Sequence, residues 1–476
     1  MNRPQQTTLT RALSTARPFG WRDRVGYLFG DLGNDFLFLL ASSYLMVYFT
    51  DVAGLQAGHV GLLFLLTRLL DAFTDVGWGR FLDAHRPSPN GRFRPWILRA
   101  AVPLAVMSAL MYAPFVAEWA YGAKLTYAVV TYVLWGSVFY TMVNISYGSL
   151  AAVITPDPGQ RSSLSVFRGI GANIAGIFVA LVPPLVIYGT VDGVSTVRPG
   201  AFFGIGIAFA AAAVVYYAFC YRLTSERVKA EPRERASFAT LLRSLATNRA
   251  LIALMGSNLI LMLAGLLVNA MAAYLWLNHF NNGALSGPAQ LASFLPGLVL
   301  APFAAAVARR IGKREFIAGM LLVSAAVFLL MFLLHVTSPW AFIVLSVVAG
   351  FGVGTYNLLV WALIADVVDY EEVRTGERDD GTVYAINTWA RKLGFALAGG
   401  AGGIALGIVG YQEGGVQQSA ATIDGIYAIS TLVPAVLYGV AAVMLLTWYP
   451  LSRRRVADNV DVLAARHADR AAPTEG

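Results

Sequence analysis

Residues 61–81 read GLLFLLTRLLDAFTDVGWGRF. Apolar side chains fill most of the run, and its length suits a helix that crosses a bilayer, which takes about 20 residues. Yet it carries Asp71 and Asp75, four residues apart and so on one helical face, with Arg68 one turn earlier on the same side. A carboxylate at the centre of a spanning helix costs about 2.5–3.5 kcal/mol on insertion scales, so such residues usually have a partner or a function. Two carboxylates at this spacing offer hard oxygen donors to a cation, or places for a proton. The bland alternative is an ion pair with Arg68 that only locks helices together. Ion-driven transport is the first functional expectation.

The rest of the chain agrees with a membrane setting. Its 476 residues are 57% hydrophobic and 13% charged, too little charge to cover a soluble protein. Apolar runs recur along nearly the whole length. A hydropathy reading gives twelve spans, with cores at 26–50, 58–83, 96–117, 124–153, 164–188, 200–222, 250–279, 287–308, 315–335, 339–367, 382–410 and 424–449. The expected class is an all-α polytopic protein of the lipid bilayer. Lys and Arg crowd the N-terminal arm, HRPSPNGRFRPW, DPGQR, the link after span 6, ARRIGKRE, YEEVRTGERDDG and the tail. On the opposite side only Lys124 and Arg198 stand. This asymmetry places both termini in the cytoplasm, and the chain in a cytoplasmic (inner) membrane.

The most polar internal stretch follows span 6. It divides the chain into an arm (1–25), a six-helix bundle (26–222), a cytoplasmic loop (223–249), a second bundle (250–449) and a tail (450–476). The halves echo each other. A basic loop follows span 2 (NGRFRP) and span 8 (ARRIGKRE), and a membrane cation follows a polar turn in each, Arg168 and Lys392. Two repeated six-helix halves with the substrate between them are the plan of the major facilitator fold.

Other classes find no support. The net charge of +8 sits in the loops that face one side, so it is no nucleic-acid footprint. Cys220 is the only cysteine, the five histidines form no HExxH, and there is no GxxxxGK[ST] loop or GxSxG elbow. Neither an enzyme nor a resident cofactor is expected, and the expected state is a monomer.

Several segments together resemble one family. They are GYLFGDLGNDFLFLL (26–40) with YLMVYFTDVAGL (44–55), TRLLDAFTDVGWG (67–79) with NGRFRPWIL (90–98), YVLWGSVFYTMVNISYGSL (132–150), ADVVDYEE (365–372) and YAINTWARKLG (384–394). In order and spacing they are similar to the glycoside–pentoside–hexuronide:cation symporters of the major facilitator superfamily, the family of melibiose permease. The resemblance covers about 26–449 and implies cation-coupled (Na+ or H+) symport of a sugar or glycoside. It implies that Asp71 and Asp75 bind the coupling ion, as metal ligands if that ion is sodium. Thr74, where the permease has an Asn, and Thr141 would assist them. Asp35, Arg168, Thr388 and Lys392 would bind substrate. The permease's span-4 carboxylate is Asn144 here, a further expected substrate contact, and its aromatic platform is Gly148. These departures fall on sugar recognition and spare the ion site.

Each residue also has a plain reading. Asp35 lies about nine residues into span 1, near mid-membrane, and a carboxylate there can accept hydroxyls or bridge helices. Asp31, one turn away, is expected to be structural. Arg168 can anchor the inner leaflet as well as contact substrate. Lys392, about ten residues into span 11, needs a carboxylate partner. Asp83, Arg92 and Arg94, with Asp369, Glu371, Glu372, Arg374 and Arg378, read as a gate latch of individually weak pairs. A lysophospholipid carrier of the same fold is the nearest alternative function.

Overall fold

The computed structural model describes residues 17–85, 88–228, 248–376 and 400–471, with 383, 394 and 397 as single positions between. Helix α1 (Trp21–Val47) continues as a π-helical turn over Tyr48–Val52. Next come α2 (Ala57–Ala84) and α3 (Arg94–Leu110). The fourth span is built from α4 (Tyr121–Val133), a π-helical segment (Leu134–Tyr140) and α5 (Thr141–Ile154). Then follow α6 (Pro158–Ile187), strands β1 (Tyr188–Val191) and β2 (Val194–Val197), and α7 (Pro199–Leu223). Beyond the central link lie α8 (Arg249–Tyr274), α9 (Ser286–Ala292), α10 (Leu295–Ile311), α11 (Lys313–Leu334) and α12 (Pro339–Thr375). The last elements are α13 (Ala420–Thr447) and α14 (Arg453–Ala471).

Among the described residues, nine helices are long and apolar enough to cross a membrane. Two further expected spans miss that measure for identifiable reasons. Helix α2 is 28 residues long but carries Arg68, Asp71, Asp75, Arg80 and Asp83, and α3 has only 17 residues. The eleventh expected span, 382–410, falls mostly outside the described residues, and Thr388 and Lys392 with it.

The connection YGTVDGVSTVRPG between the fifth and sixth spans carries a two-stranded antiparallel hairpin at 188–197, with Tyr188 opposite Val197 and Val191 opposite Val194. Asp192 and Gly193 both have positive φ (52° and 79°). That is the geometry an Asp-Gly hairpin turn favours, because it matches the twist of the strands. Asn281 secures the hairpin, accepting from the Ser195 N–H (2.7 Å) and donating to the Gly193 carbonyl (2.9 Å).

The chain divides into two compact units. One comprises 1–233, 276–288 and 403–419, the other 234–275, 289–402 and 420–476. In the first, α1 packs on α6 and α7, α3 on α5 and α7, and α2 on α5. In the second, α8 packs on α13, α11 on α12 and α13, and α10 on α12. The pairings repeat. In each unit the first span meets the sixth, the third meets the fourth and the sixth, and the second meets the fourth. The internal echo that is faint in the sequence is explicit in this packing.

Close approach depends on small residues, as expected where apolar burial gives helices no net attraction in lipid. At Gly30 a methyl group would overlap the Tyr147 ring, which stacks on Tyr27 with centroids 4.6 Å apart. The Tyr147 hydroxyl donates to the Tyr27 carbonyl (2.8 Å), and Tyr217 on α7 donates to Asn34 on α1 (2.8 Å). In the second unit, Gly352 of α12 abuts Ser324 of α11, whose hydroxyl receives the Gly352 N–H at 3.1 Å.

Candidate functional site

Helix α2 carries Asp71 and Asp75 on the side that meets the fourth span. The Ser137 hydroxyl donates to Asp71 Oδ1 at 2.5 Å, and the Thr141 hydroxyl donates to Asp75 Oδ1 at 3.0 Å. Lower on the same pair of helices, Trp78 Nε1 meets the Ser146 hydroxyl at 3.4 Å. Helix and helix thus run in parallel register, carboxylate to hydroxyl. Arg68 Nη1 bridges to the other oxygen of Asp71, Oδ2, at 3.1 Å, and its guanidinium lies over the Phe38 ring at 5.2 Å. Asp71 is ion-paired to Arg68, and both carboxylates face oxygen donors of another span.

Thr74 stands differently. Its hydroxyl donates to the Asp71 carbonyl oxygen of its own helix at 3.2 Å. Ser137, by contrast, was not singled out in the sequence, although SxxxT at 137–141 repeats the spacing of DxxxD at 71–75. The π-helical segment Leu134–Tyr140 widens the helix just before Thr141. Such local bulges often mark functional sites.

A second polar group joins α1 to α6. Arg168 Nε donates to Asp31 Oδ1 at 2.9 Å, and the guanidinium lies 5.7 Å from the centroid of the Tyr147 ring. Asp31 is almost wholly buried, whereas the Arg168 side chain is 50% exposed. Asp31 is thus held in an ion pair, and Arg168 is held by its Nε alone among the described residues. Asp35, one turn on, is part-buried within electrostatic reach of both. No hydrogen bond or ion pair joins it to a described residue. Asn144 is part-buried on α5, one turn beyond Thr141. At Gly148 a methyl group would meet nothing within 4 Å. The structure thus brings Asp71, Asp75, Thr141 and Ser137 together, and Asp31, Asp35 and Arg168 together.

A third group was absent from the sequence reading. Asp51, in the π-helical turn that ends the first span, is buried. Its Oδ1 accepts from the Tyr411 hydroxyl (2.8 Å) and from Thr50 Oγ1 (2.9 Å), while its Oδ2 is buried without a partner. Glu413 Oε1 receives the Ala57 N–H at the start of α2 (2.9 Å). The segment 403–419 is thereby fastened to the ends of α1 and α2.

Several of the residues read as a latch have partners among the described residues of their own units. Arg92 pairs loosely with Asp83 (3.9 Å), and Arg94 donates to the Tyr221 carbonyl. The Glu226 carboxylate receives the N–H groups of Arg92, Phe93 and Arg94 at 2.7, 2.9 and 2.9 Å, so it caps α3. Glu371 pairs with Arg374 (2.6 Å) and accepts from Asn248 (2.6 Å). Arg378 lies outside the described residues.

With the same packing pattern in both units and paired carboxylates on α2, comparison with known proteins becomes decisive. The profile of the MFS/sugar transport protein family matches residues 26–453. The chain belongs to this family. Among its relatives is the glucuronide carrier protein homolog of Escherichia coli (strain K12), 34% identical over 446 residues, or 92% of this chain and 94% of that one. The isoprimeverose transporter of Lactiplantibacillus pentosus is 31% identical over 434 residues, 90% of this chain and 88% of its own. The crystal structure of a D-xylose-proton symporter superposes with a TM-score of 0.59 at 14% identity, covering 90% of this chain and 97% of that one, which speaks for the fold alone. The protein is a multi-pass sugar transporter of the glycoside–pentoside–hexuronide branch of the major facilitator superfamily, and not an enzyme.

Proposed function

We propose that the transporter takes up a sugar or glycoside together with a monovalent cation, Na+ or H+, by alternating access across a cytoplasmic membrane. In this reading it works as a monomer with both termini in the cytoplasm. The cation neutralises the Asp71/Asp75 pair and relieves repulsion on Asp35, which then accepts sugar hydroxyls. Linkage makes the effect mutual, so sugar also tightens the cation.

The observation that carries this reading is Asp35. It is a part-buried carboxylate with no hydrogen-bond or ion-pair partner among the described residues, beside an arginine already neutralised by Asp31. A carboxylate left so has unused acceptor capacity, which vicinal hydroxyls satisfy well. Asp31, Asp35 and Arg168 together carry one net negative charge, which favours a neutral sugar over a uronic one. The isoprimeverose and glucuronide names of the relatives span both classes. Asp35→Ala should weaken sugar binding about tenfold to hundredfold, the worth of one charge-assisted hydrogen bond. Isothermal titration of the purified protein with the best sugar from an uptake panel tests this, and undiminished affinity would return Asp35 to a structural role.

A further inference from the structure

Arginine collects at one corner of the second unit. The ends of α10 and α13 account for part of this, because the carbonyls of a helix C-terminus draw cations. Arg249, at the start of α8, donates from Nε to the Trp448 carbonyl (3.2 Å) and from Nη2 to the Thr447 carbonyl (3.4 Å). Arg314, in the first turn of α11, donates from Nη1 to the Tyr449 carbonyl (3.1 Å). Arg453, which opens α14, donates to the Arg310 carbonyl at the end of α10. Three segments far apart in sequence thus meet around the end of the last span. A carbonyl acceptor carries no net charge, so these bonds place the guanidiniums without neutralising them.

The other arginines of the corner have no such role. Arg309, Arg310, Arg454 and Arg455 are exposed, and none of their side chains meets a partner among the described residues. Glu315, held by Arg314 at 2.9 Å, is the only carboxylate among the described residues that pairs with any arginine of the corner. Like charges gathered in this way repel, and an anionic partner relieves the repulsion. A positive-inside bias asks only that cations lie on one side of the membrane, not that they converge.

Apolar surface says which anion fits. Val436, Val440 and Val443 lie on one face of α13 and are 54, 47 and 53% exposed, and Trp448 beyond them is 45% exposed. The strip runs up to the arginines, and tryptophan favours the headgroup level of a bilayer. A phospholipid matches both parts, an anionic head and an apolar chain. A free phosphate would use only the first.

We propose that this corner binds an anionic phospholipid, with its headgroup on Arg309, Arg310, Arg454 and Arg455 and an acyl chain along the valine strip of α13. The site lies on the second unit alone, and it stands whatever solute is carried.

Native mass spectrometry of the purified full-length protein tests this, by titration in detergent with phosphatidylglycerol and with phosphatidylcholine of the same acyl chains. Wild type should bind its first phosphatidylglycerol about tenfold or more tighter than phosphatidylcholine. The triple variant Arg309→Gln/Arg454→Gln/Arg455→Gln removes charges whose side chains make no described contact, and should lose about tenfold to hundredfold of that affinity. The matching lysine triple should keep most of it. So should Arg22→Gln/Arg80→Gln/Arg99→Gln, which neutralises three exposed arginines of the first unit. Thermal unfolding of each variant without added lipid, expected to match wild type, separates a lost site from a lost fold. Should the glutamine triple be unstable, Arg454→Gln and Arg455→Gln singly decide the matter, each with an expected loss of about fivefold. Equal affinity of wild type for the two lipids would overturn the proposal, as would undiminished binding in the glutamine variants or an equal loss in the first-unit control. Full displacement of the lipid by glycerol 3-phosphate would make the partner a soluble anion and overturn it too.

Discussion

Tyr411→Phe removes one oxygen and little else. The lost hydroxyl donates to Asp51 Oδ1 at 2.8 Å, and Asp51 retains Thr50 Oγ1 at 2.9 Å on the same oxygen. Its second oxygen is already buried without a partner, so no other described group compensates. A hydrogen bond to a carboxylate contributes about 1.5–3 kcal/mol, and leaving that acceptor short in a buried place forfeits it. The segment 403–419 should therefore open from the ends of α1 and α2 roughly tenfold to hundredfold more often. Amide hydrogen exchange in lipid nanodiscs reads this directly, as faster exchange in peptides covering 403–419 with α3 and α7 unchanged. A double-mutant cycle adds the mechanism. In an Asp51→Asn background Tyr411→Phe should cost distinctly less, because the charged acceptor is gone. Unchanged exchange in 403–419, or the same cost in both backgrounds, would refute the claim that this hydrogen bond fastens the segment.

Asp75→Asn should abolish sugar accumulation driven by an ion gradient while sparing sugar exchange in de-energised vesicles; full accumulation would remove Asp75 from the coupling mechanism. Asn144→Asp should weaken binding of a uronic sugar more than its neutral counterpart, because a carboxylate repels another; equal effects in matched titrations would mean that Asn144 does not face substrate. Glu226→Ala leaves the N–H groups of Arg92, Phe93 and Arg94 without their carboxylate and should destabilise the first unit by about 1–3 kcal/mol. Glu226→Gln, which still accepts, should lose less. A thermal-inactivation series in which the two variants match each other or wild type would deny Glu226 that capping role.

The membrane class, the spans and the paired carboxylates were all legible because each depends on local sequence alone. Hydropathy over one helix length is a property of consecutive residues, and an i, i+4 pair shares a face wherever the helix lies. The Asp-Gly turn at 192–193 was equally local, but a hydropathy window averages over two strands of four residues each. Partners were harder to see. Asp31 and Asp35 are one turn apart on one helix, and only the placement of α6 gives Arg168 to the first and leaves the second without a bond among the described residues.

The sequence by itself determined a membrane protein of recurring apolar spans, with Asp71 and Asp75 in one of them, and a resemblance to a family of sugar symporters. Only the tertiary structure decided which oxygens accompany the two carboxylates. Ser137 and Thr74 are equally ordinary hydroxyl residues in the chain, yet one crosses to Asp71 from the fourth span and the other folds back on its own helix. Asp51 and Tyr411 are 360 residues apart and look unremarkable singly until the fold buries them together. A hydrogen bond acts within about 3 Å, and sequence separation carries no information about distances that short once the chain has turned back on itself.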